Sequence, residues 1–497
     1  MYEQMEKRIS KLEVPGVMAL LMGSSFGALF IWATTEVGFL KGLFLFIGIP
    51  VMGLLVPTAV RQATRLFSSL RPKLRWWHGL WLLVFASALQ FRPRTSTQIS
   101  ESLLDLWAAY RVALMGTTAA VLAGRLFLRR TAWMGSILRG WVGVMATYCA
   151  LCLISTLWSA HPVWTLYKSL EYSVDVVLIA AILVAAPSVR AYKSLFDWTY
   201  LLFGLLLASV WGGAIVSPSQ ALLPSSGLLP VHLFGVIPAI HANSVGEIGA
   251  ILTIAAVSRL LSRHRDRRNR ALLSVLSSIG AATMILAQTR SAIIGFLFGL
   301  ALVLFFSKRL GFIAFLGIAA VLLTLLTDVG TLGEEFLRRG QNTQLLESLS
   351  GRVDWWEFGW HEFLKQPWSG LGAYTARFEV LDKLGAFEAS TVHNTYLEAL
   401  LNVGILGVIP VIAALVGIWY QITRALRRDG HNSPERQLAL EAVGVLSVLT
   451  VRSFLSTGFI WHPSLFFLLI LGYAEFLRRR RKYMVSEFHQ SMRATGA

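Results

Sequence analysis

Runs of about twenty apolar residues recur along the chain, separated by short segments where arginine and lysine collect. Fourteen such runs can be bounded: 16–34, 39–57, 76–91, 104–124, 140–158, 172–187, 197–216, 243–261, 271–288, 291–306, 311–327, 393–419, 438–456 and 464–477. A bilayer core admits backbone only as helices or closed barrels, and apolar runs of this length are helical. The pattern therefore predicts an all-α polytopic membrane protein with about 14 transmembrane helices.

One interval breaks the rhythm. Residues 328–392 form the longest polar segment, expected to be a large loop carrying short amphipathic helices. Within it, 353–364 places Val353, Trp356, Trp360, Phe363 and Leu364 on one face and Asp354, Glu357 and His361 on another. Its tryptophans predict a helix lying in the membrane interface, with its acids, Glu362 included, on a solvated face. The turn from Gln366 to Gly372 follows, and helix and turn together are expected to form a lid on the membrane. The pattern divides the chain into a tail and accessory helix pair (1–57), a membrane core (58–327), the loop (328–392), the core continued (393–477) and a basic tail (478–497).

Charge orients these elements. Only 14% of residues are charged, against about 25% in soluble proteins. The net charge of +18 would suggest nucleic acid in a soluble chain, but here the basic residues sit between apolar runs, and no nucleic-acid partner is expected. Of the 45 Lys and Arg, 32 fall in segments on the side shared by both termini; ten fall on the other side, six of them in 328–392. The positive-inside rule then predicts both termini in the cytoplasm and the 328–392 loop outside. No cleavable signal peptide is expected at the polar N-terminus. Cys149 and Cys152 share one apolar run and read as small buried hydrophobes.

Polar residues gather at the outward corners. Arg290 occupies a turn too short for a free loop, where its guanidinium can grip a diphosphate and Ser291 can cap the next helix. The competing reading is a snorkelling interfacial arginine. His393 opens a long apolar helix, and a helix N-terminus disfavours the imidazolium, leaving a ring able to accept a proton. Asn394 adjoins it and Glu398 lies one turn beyond, inside the membrane boundary where a carboxylate needs a reason. A capping histidine with an interfacial glutamate is the plainer alternative. His241, Asn243 and Glu247 repeat this arrangement in kind. Arg352 can hold phosphate or sugar, or pair with loop acids. Arg452 is an intramembrane arginine and thereby a site candidate. Lys168 follows the corner Trp158-Ser159-Ala160-His161-Pro162. The histidines lack metal-ligand spacing, so neither metal nor cofactor is expected.

Four segments resemble the bacterial O-antigen ligase and polymerase superfamily. They are Trp158-Ser159-Ala160-His161-Pro162 with Lys168, Thr289-Arg290-Ser291-Ala292, Gly351-Arg352 through Trp356 and Pro367 to Gly370-Leu371-Gly372, and His393-Asn394-Thr395-Tyr396-Leu397-Glu398 through Gly404-Ile405-Leu406-Gly407. The resemblance spans roughly 140–410 and departs at two places: His232 and Lys168 stand where arginine is usual. It implies an all-helical glycosyltransferase of the inner membrane, independent of metal, moving glycan from undecaprenyl diphosphate by an inverting displacement. It implies Arg290 on the diphosphate and His393 at the acceptor hydroxyl, with a second diphosphate arginine supplied by Arg352 or Arg452. The implied partners are undecaprenyl-diphosphate-linked oligosaccharide, an acceptor glycan that is either another lipid-linked repeat or lipid A core, membrane lipids, and candidate polysaccharide-export proteins. A polymerase of exported or surface polysaccharide is the leading expectation and a ligase the alternative. A lipid-linked glycan flippase is the rival class; it predicts paired broken helices related by an internal repeat, and no such repeat is evident.

Overall fold

The computed structural model describes residues 49–70, 74–89, 95–102, 105–128, 135–186, 188–225, 229–261, 269–309, 311, 348–349, 351–428 and 433–495. The expected run 16–34, all of 311–327 beyond Gly311, the part of 39–57 before 49, and residues 328–347 and 350 of the large loop lie outside the described residues.

Each expected run within the described residues has a helix at its heart. In chain order these are α1 (Ile49–Leu70), α2 (Trp76–Ser87), α3 (Leu106–Leu128), α4 (Gly140–Ile154), α5 (Pro162–Ala185), α6 (Val189–Val216), α7 (Ala242–Leu261), α8 (Arg270–Leu286), α9 (Arg290–Phe306), α10 (Arg352–Lys365), α11 (Thr395–Arg428), α12 (Pro434–Ser453) and α13 (Leu465–Thr495). Among the described residues, five helices are long and apolar enough to cross a membrane: α3, α4 with its 3-10 extension to Leu157, α6, α7 and α11; α8 and α9 are shorter apolar helices. The architecture is that of an all-α, multi-pass membrane protein. A small hairpin adds β1 (Leu222–Pro224) antiparallel to β2 (Val231–Leu233).

Helix bounds depart from expectation where charge is neutralised inside the fold. Helix α5 starts at Pro162, ten residues before the apolar run at 172, because proline suits the first helical position and the charges of Lys168 and Glu171 meet each other. Helix α1 continues through 58–70, expected as a basic loop.

Helix α10 exists where expected but buries a different face. Gly359, Glu362 and Phe363 are its buried residues. Val353, Trp360 and Leu364 face outward with Trp368. On the packed stripe Gly359 faces Leu397 and Leu401 of α11. Phe363 joins Ala376, Val380, Leu381, Val392, Leu397 and Leu401 in a separate small core. Glu362, read as solvated, is buried and paired with Lys365 at 2.6 Å.

The turn after α10 is a wedge, not the lid its composition suggested. Helix α11 breaks at Val403 (φ −143°, ψ 27°) and Gly404 (φ 67°, ψ −158°). The carbonyls freed by the break accept amides from the turn: Leu371 donates to Leu401 at 2.7 Å and Gly372 to Asn402 at 3.1 Å. In return the Ile405 amide donates to the Pro367 carbonyl at 2.9 Å. Asn402 completes the joint, its Oδ1 accepting the Tyr374 amide at 2.7 Å and its Nδ2 donating to the Tyr148 hydroxyl at 2.9 Å. The Leu401 and Asn402 carbonyls and the Ile405 amide thereby find partners across the break, as irregular backbone at membrane depth requires. Two glycines permit the approach. Gly370 (φ +64°) would put a Cβ 2.6 Å from the Leu401 carbonyl oxygen, and a Cβ on Gly404 would collide with the Trp368 carbonyl.

Candidate functional site

His393 sits in the short loop before α11, and nearly every neighbour in that loop is tied down. Asn394 caps the helix, its Oδ1 accepting the amides of Tyr396 at 3.0 Å and Leu397 at 3.1 Å. Thr395 donates to the Ser456 carbonyl at 2.6 Å. The Val392 peptide is held from both ends: its N–H donates to Glu398 Oε2 at 3.1 Å and its carbonyl accepts Trp356 Nε1 at 2.8 Å. The His393 amide donates to Thr391 Oγ1 at 3.3 Å. His393 itself has φ +54°, a left-handed conformation that costs about 1–3 kcal/mol outside glycine and persists only where the surroundings impose it. Trp355 lies across the imidazole, with ring centroids 6.1 Å apart and planes 27° apart.

Positive charge surrounds this ring. Arg452, near the end of α12, donates Nε to Glu247 Oε2 of α7 at 2.8 Å and NH1 to Ser291 Oγ of α9 at 3.1 Å. Arg352, the first residue of α10, donates to the Leu455 carbonyl at 3.1 Å. Burial, reinforced by Arg452, lowers the Arg352 pKa to about 10. Burial comes first for His393 as well, followed by the charges of Arg352, His241 and Arg452, and together they hold its pKa down at about 3. The imidazole is therefore neutral at physiological pH, as expected; the cause is burial and neighbouring cations, where the sequence had pointed to a helix terminus.

The turn bearing Arg290 is built into the same end of the helices. Thr289 Oγ1 donates to the Ala242 carbonyl at 3.1 Å, joining the turn to the start of α7. Gln288 reaches the Val231 carbonyl at 2.8 Å, and His232 on β2 contacts the Ala287 carbonyl at 2.8 Å. His232 thus braces the turn. Arg290 is half-buried at the first position of α9, next to the Ser291 that Arg452 holds. Through Arg452, the starts of α7 and α9 and the end of α12 converge near His393.

Residues 272–412 match the family model described as O-Antigen ligase. That segment supports the resemblance to the O-antigen ligase and polymerase superfamily. The matched O-antigen ligase segment contains Arg290, Arg352, His393, Asn394 and Glu398; Lys168, His241, Asn243 and Arg452 lie outside it. A search of curated proteins finds no match.

The expected site residues divide into groups. Arg352, His241 and Arg452 are within electrostatic reach of His393, and Arg452 of Arg352; Arg290 precedes the Ser291 that Arg452 holds. Asn243, in the first turn of α7, donates its backbone amide to His241 Nδ1 at 3.2 Å. Asn394 and Glu398 turn inward: the first caps α11, and the second is fully buried beneath Val392. Lys168 belongs to a different group. Its ammonium pairs with Glu171 at 2.7 Å, and Arg111 reaches the same carboxylate at 2.6 Å. Trp164, Tyr167 and Trp461 surround it, with ring centroids 5.2, 5.2 and 5.4 Å from Nζ. Sequence reasoning missed Trp355 and Trp356 as contacts of the His393 loop. Their signal was the tryptophan pair two residues after Gly351-Arg352, read there as an interfacial anchor.

Proposed function

We propose that this protein is a membrane glycosyltransferase that takes oligosaccharide from undecaprenyl diphosphate and joins it to an acceptor sugar at the outer face of the bacterial inner membrane. The leading form is polymerisation of a surface or exported polysaccharide. Ligation to lipid A core is the alternative, and the superfamily match is compatible with both. The observation that carries the reading is a neutral, partly exposed imidazole held beside two guanidinium groups at the start of a membrane helix.

The chemistry follows from that juxtaposition. His393 accepts the proton of the acceptor hydroxyl as its oxygen forms the new bond to the anomeric carbon. The bond from that carbon to the diphosphate oxygen breaks, and its electron pair leaves with the diphosphate. Arg290 and Arg352 take up the charge that develops there, so in this reading the reaction needs no metal. Arg352 is preferred over Arg452 as the second diphosphate arginine: Arg452 is already ion-paired to Glu247, whereas Arg352 contacts a backbone carbonyl. A diphosphate bound beside Arg352 also offsets the positive field on His393, making the ring more basic when substrate is present.

The test is His393→Ala with lipid-linked glycan followed on each face of the membrane. The expected result is a normal protein level, lost product and unlinked units accumulating on the outer face. Accumulation on the cytoplasmic face supports a flippase instead, and unchanged product refutes the assignment of His393.

A further inference from the structure

The Val392 peptide is gripped at both ends by side chains from two different helices. Its N–H is taken by Glu398 of α11 and its carbonyl by Trp356 of α10, at 3.1 and 2.8 Å. Glu398 has no exposed surface, and its Oε1 has no hydrogen-bond partner. A buried carboxylate with a single amide partner is costly, and at this depth it needs a reason. The next residue is His393, with its backbone in the left-handed region.

We propose that Glu398 and Trp356 are positioning residues: by clamping the Val392 peptide from both sides they set the backbone conformation of His393 and hold its imidazole among the cations. This rests on His393 being the reacting group for its functional meaning, but the geometry can be tested without turnover. The clamp accounts for three facts at once. It gives the buried carboxylate an obligatory acceptor role. It explains why α10 places two tryptophans in succession, Trp355 across the imidazole and Trp356 on the preceding carbonyl. It also ties the His393 loop to the wedge, because Leu397 and Leu401, one face of the half-helix that carries Glu398, pack with Phe363 of α10. The charged and titratable groups facing His393 come from α10 (Arg352), α12 (Arg452, itself paired to Glu247 of α7) and the residue before α7 (His241). A ring released from the clamp leaves all of them and behaves as an ordinary imidazole.

The experiment is carbethoxylation of the detergent-solubilised full-length protein by diethyl pyrocarbonate, with His393 read by peptide mass spectrometry across pH. The reagent attacks only neutral imidazole. In the unaltered protein the rate at His393, corrected for reagent decay, is expected to stay level from roughly pH 7.5 to 5.5. In Glu398→Ala and Trp356→Phe it should fall about tenfold over the same range, following an ordinary histidine. Glu398→Gln keeps an oxygen acceptor and should follow the unaltered protein. If Glu398→Ala fails to fold, Trp356→Phe, which removes the N–H donor and keeps an aromatic ring, decides alone. A level profile in Trp356→Phe overturns the proposal, as does a Glu398→Gln profile that falls like that of Glu398→Ala. A shifted profile alongside normal product in a His393→Ala strain would keep the clamp and discard the catalytic reading.

Discussion

The charged group on α5 and the one around His393 use the same residue types in different ways. On α5, Glu171 receives Arg111 at 2.6 and 3.0 Å and Lys168 at 2.7 Å. Asp175, one turn further, accepts His462 Nδ1 at 2.8 Å, while His462 Nε2 meets Ser87 Oγ at 2.9 Å. Each of these charges is tied to another member of the group, and Ser87, Asp175 and His462 are sealed from solvent. Around His393, Glu247 is spent on Arg452, and Arg352 faces the Leu455 carbonyl with Arg452 as its charged neighbour. A group whose charges close on themselves reads as scaffold. A group whose cations crowd a neutral imidazole is poised for an incoming anion. The Ser87–His462–Asp175 arrangement makes the point: three residue types that suggest chemistry sit where nothing can reach them, fastening the 454–464 loop to α2 and α5.

The comparison is broken most severely at Glu171. Replacing it by Ala leaves Arg111 and Lys168 buried without their anion, which typically costs 3–5 kcal/mol. Glu171→Ala should therefore lose folded protein, seen as a drop in membrane-inserted yield and in thermal midpoint. A variant with normal yield and reduced turnover would move this group into the functional site. A smaller effect is expected at the joint between the two regions. Asn402→Ala removes the partner of the Tyr374 amide and the Tyr148 hydroxyl, and stranded buried groups cost roughly 1–3 kcal/mol. Thermal unfolding should show that loss, with turnover falling only in proportion to the folded fraction.

The mildest prediction concerns pH. With its pKa lowered to about 3, His393 stays neutral well into acid. The pH profile of kcat/KM reports free-enzyme ionisations, so it should show no acid limb from His393 near an ordinary imidazole pKa. The stability consequence has the opposite sense. Between about 6.5 and about 3 the unfolded chain binds a proton that the folded chain refuses, so stability falls as pH drops through that window. An acid limb near 6.5 that disappears in Arg352→Met would show that Arg352 acts other than by depressing His393.

Much of this was legible in the sequence. Apolar run length gave the helices; His393 and Arg290 stood out as polar residues at the mouths of apolar helices, and Arg352 as the cation opening the amphipathic one. Tertiary pairing was not legible. Arg111 falls inside the apolar run 104–124, and only the fold shows that Glu171, sixty residues on, neutralises it. The glycines of the 370–372 turn were visible as a pattern. Their reason, a backbone passing through the break in α11, depends on Leu401, Asn402 and Gly404 about thirty residues away. Hydrophobicity alone favours Trp360 and Leu364 as the packed face of α10, whereas the fold buries Gly359, Glu362 and Phe363 and leaves those two exposed.

The central claim is that the cations around His393 await a diphosphate and those on α5 do not. Its most direct test is the thermal midpoint of the purified full-length protein titrated with farnesyl diphosphate, in the unaltered chain, Arg352→Met and Lys168→Met. Ligand that binds the folded state raises the midpoint by mass action. The account predicts a concentration-dependent rise in the unaltered protein. It predicts the same rise, from a lower starting point, in Lys168→Met, and at least about tenfold weaker binding in Arg352→Met. A full rise in Arg352→Met, or its loss in Lys168→Met alone, would contradict it.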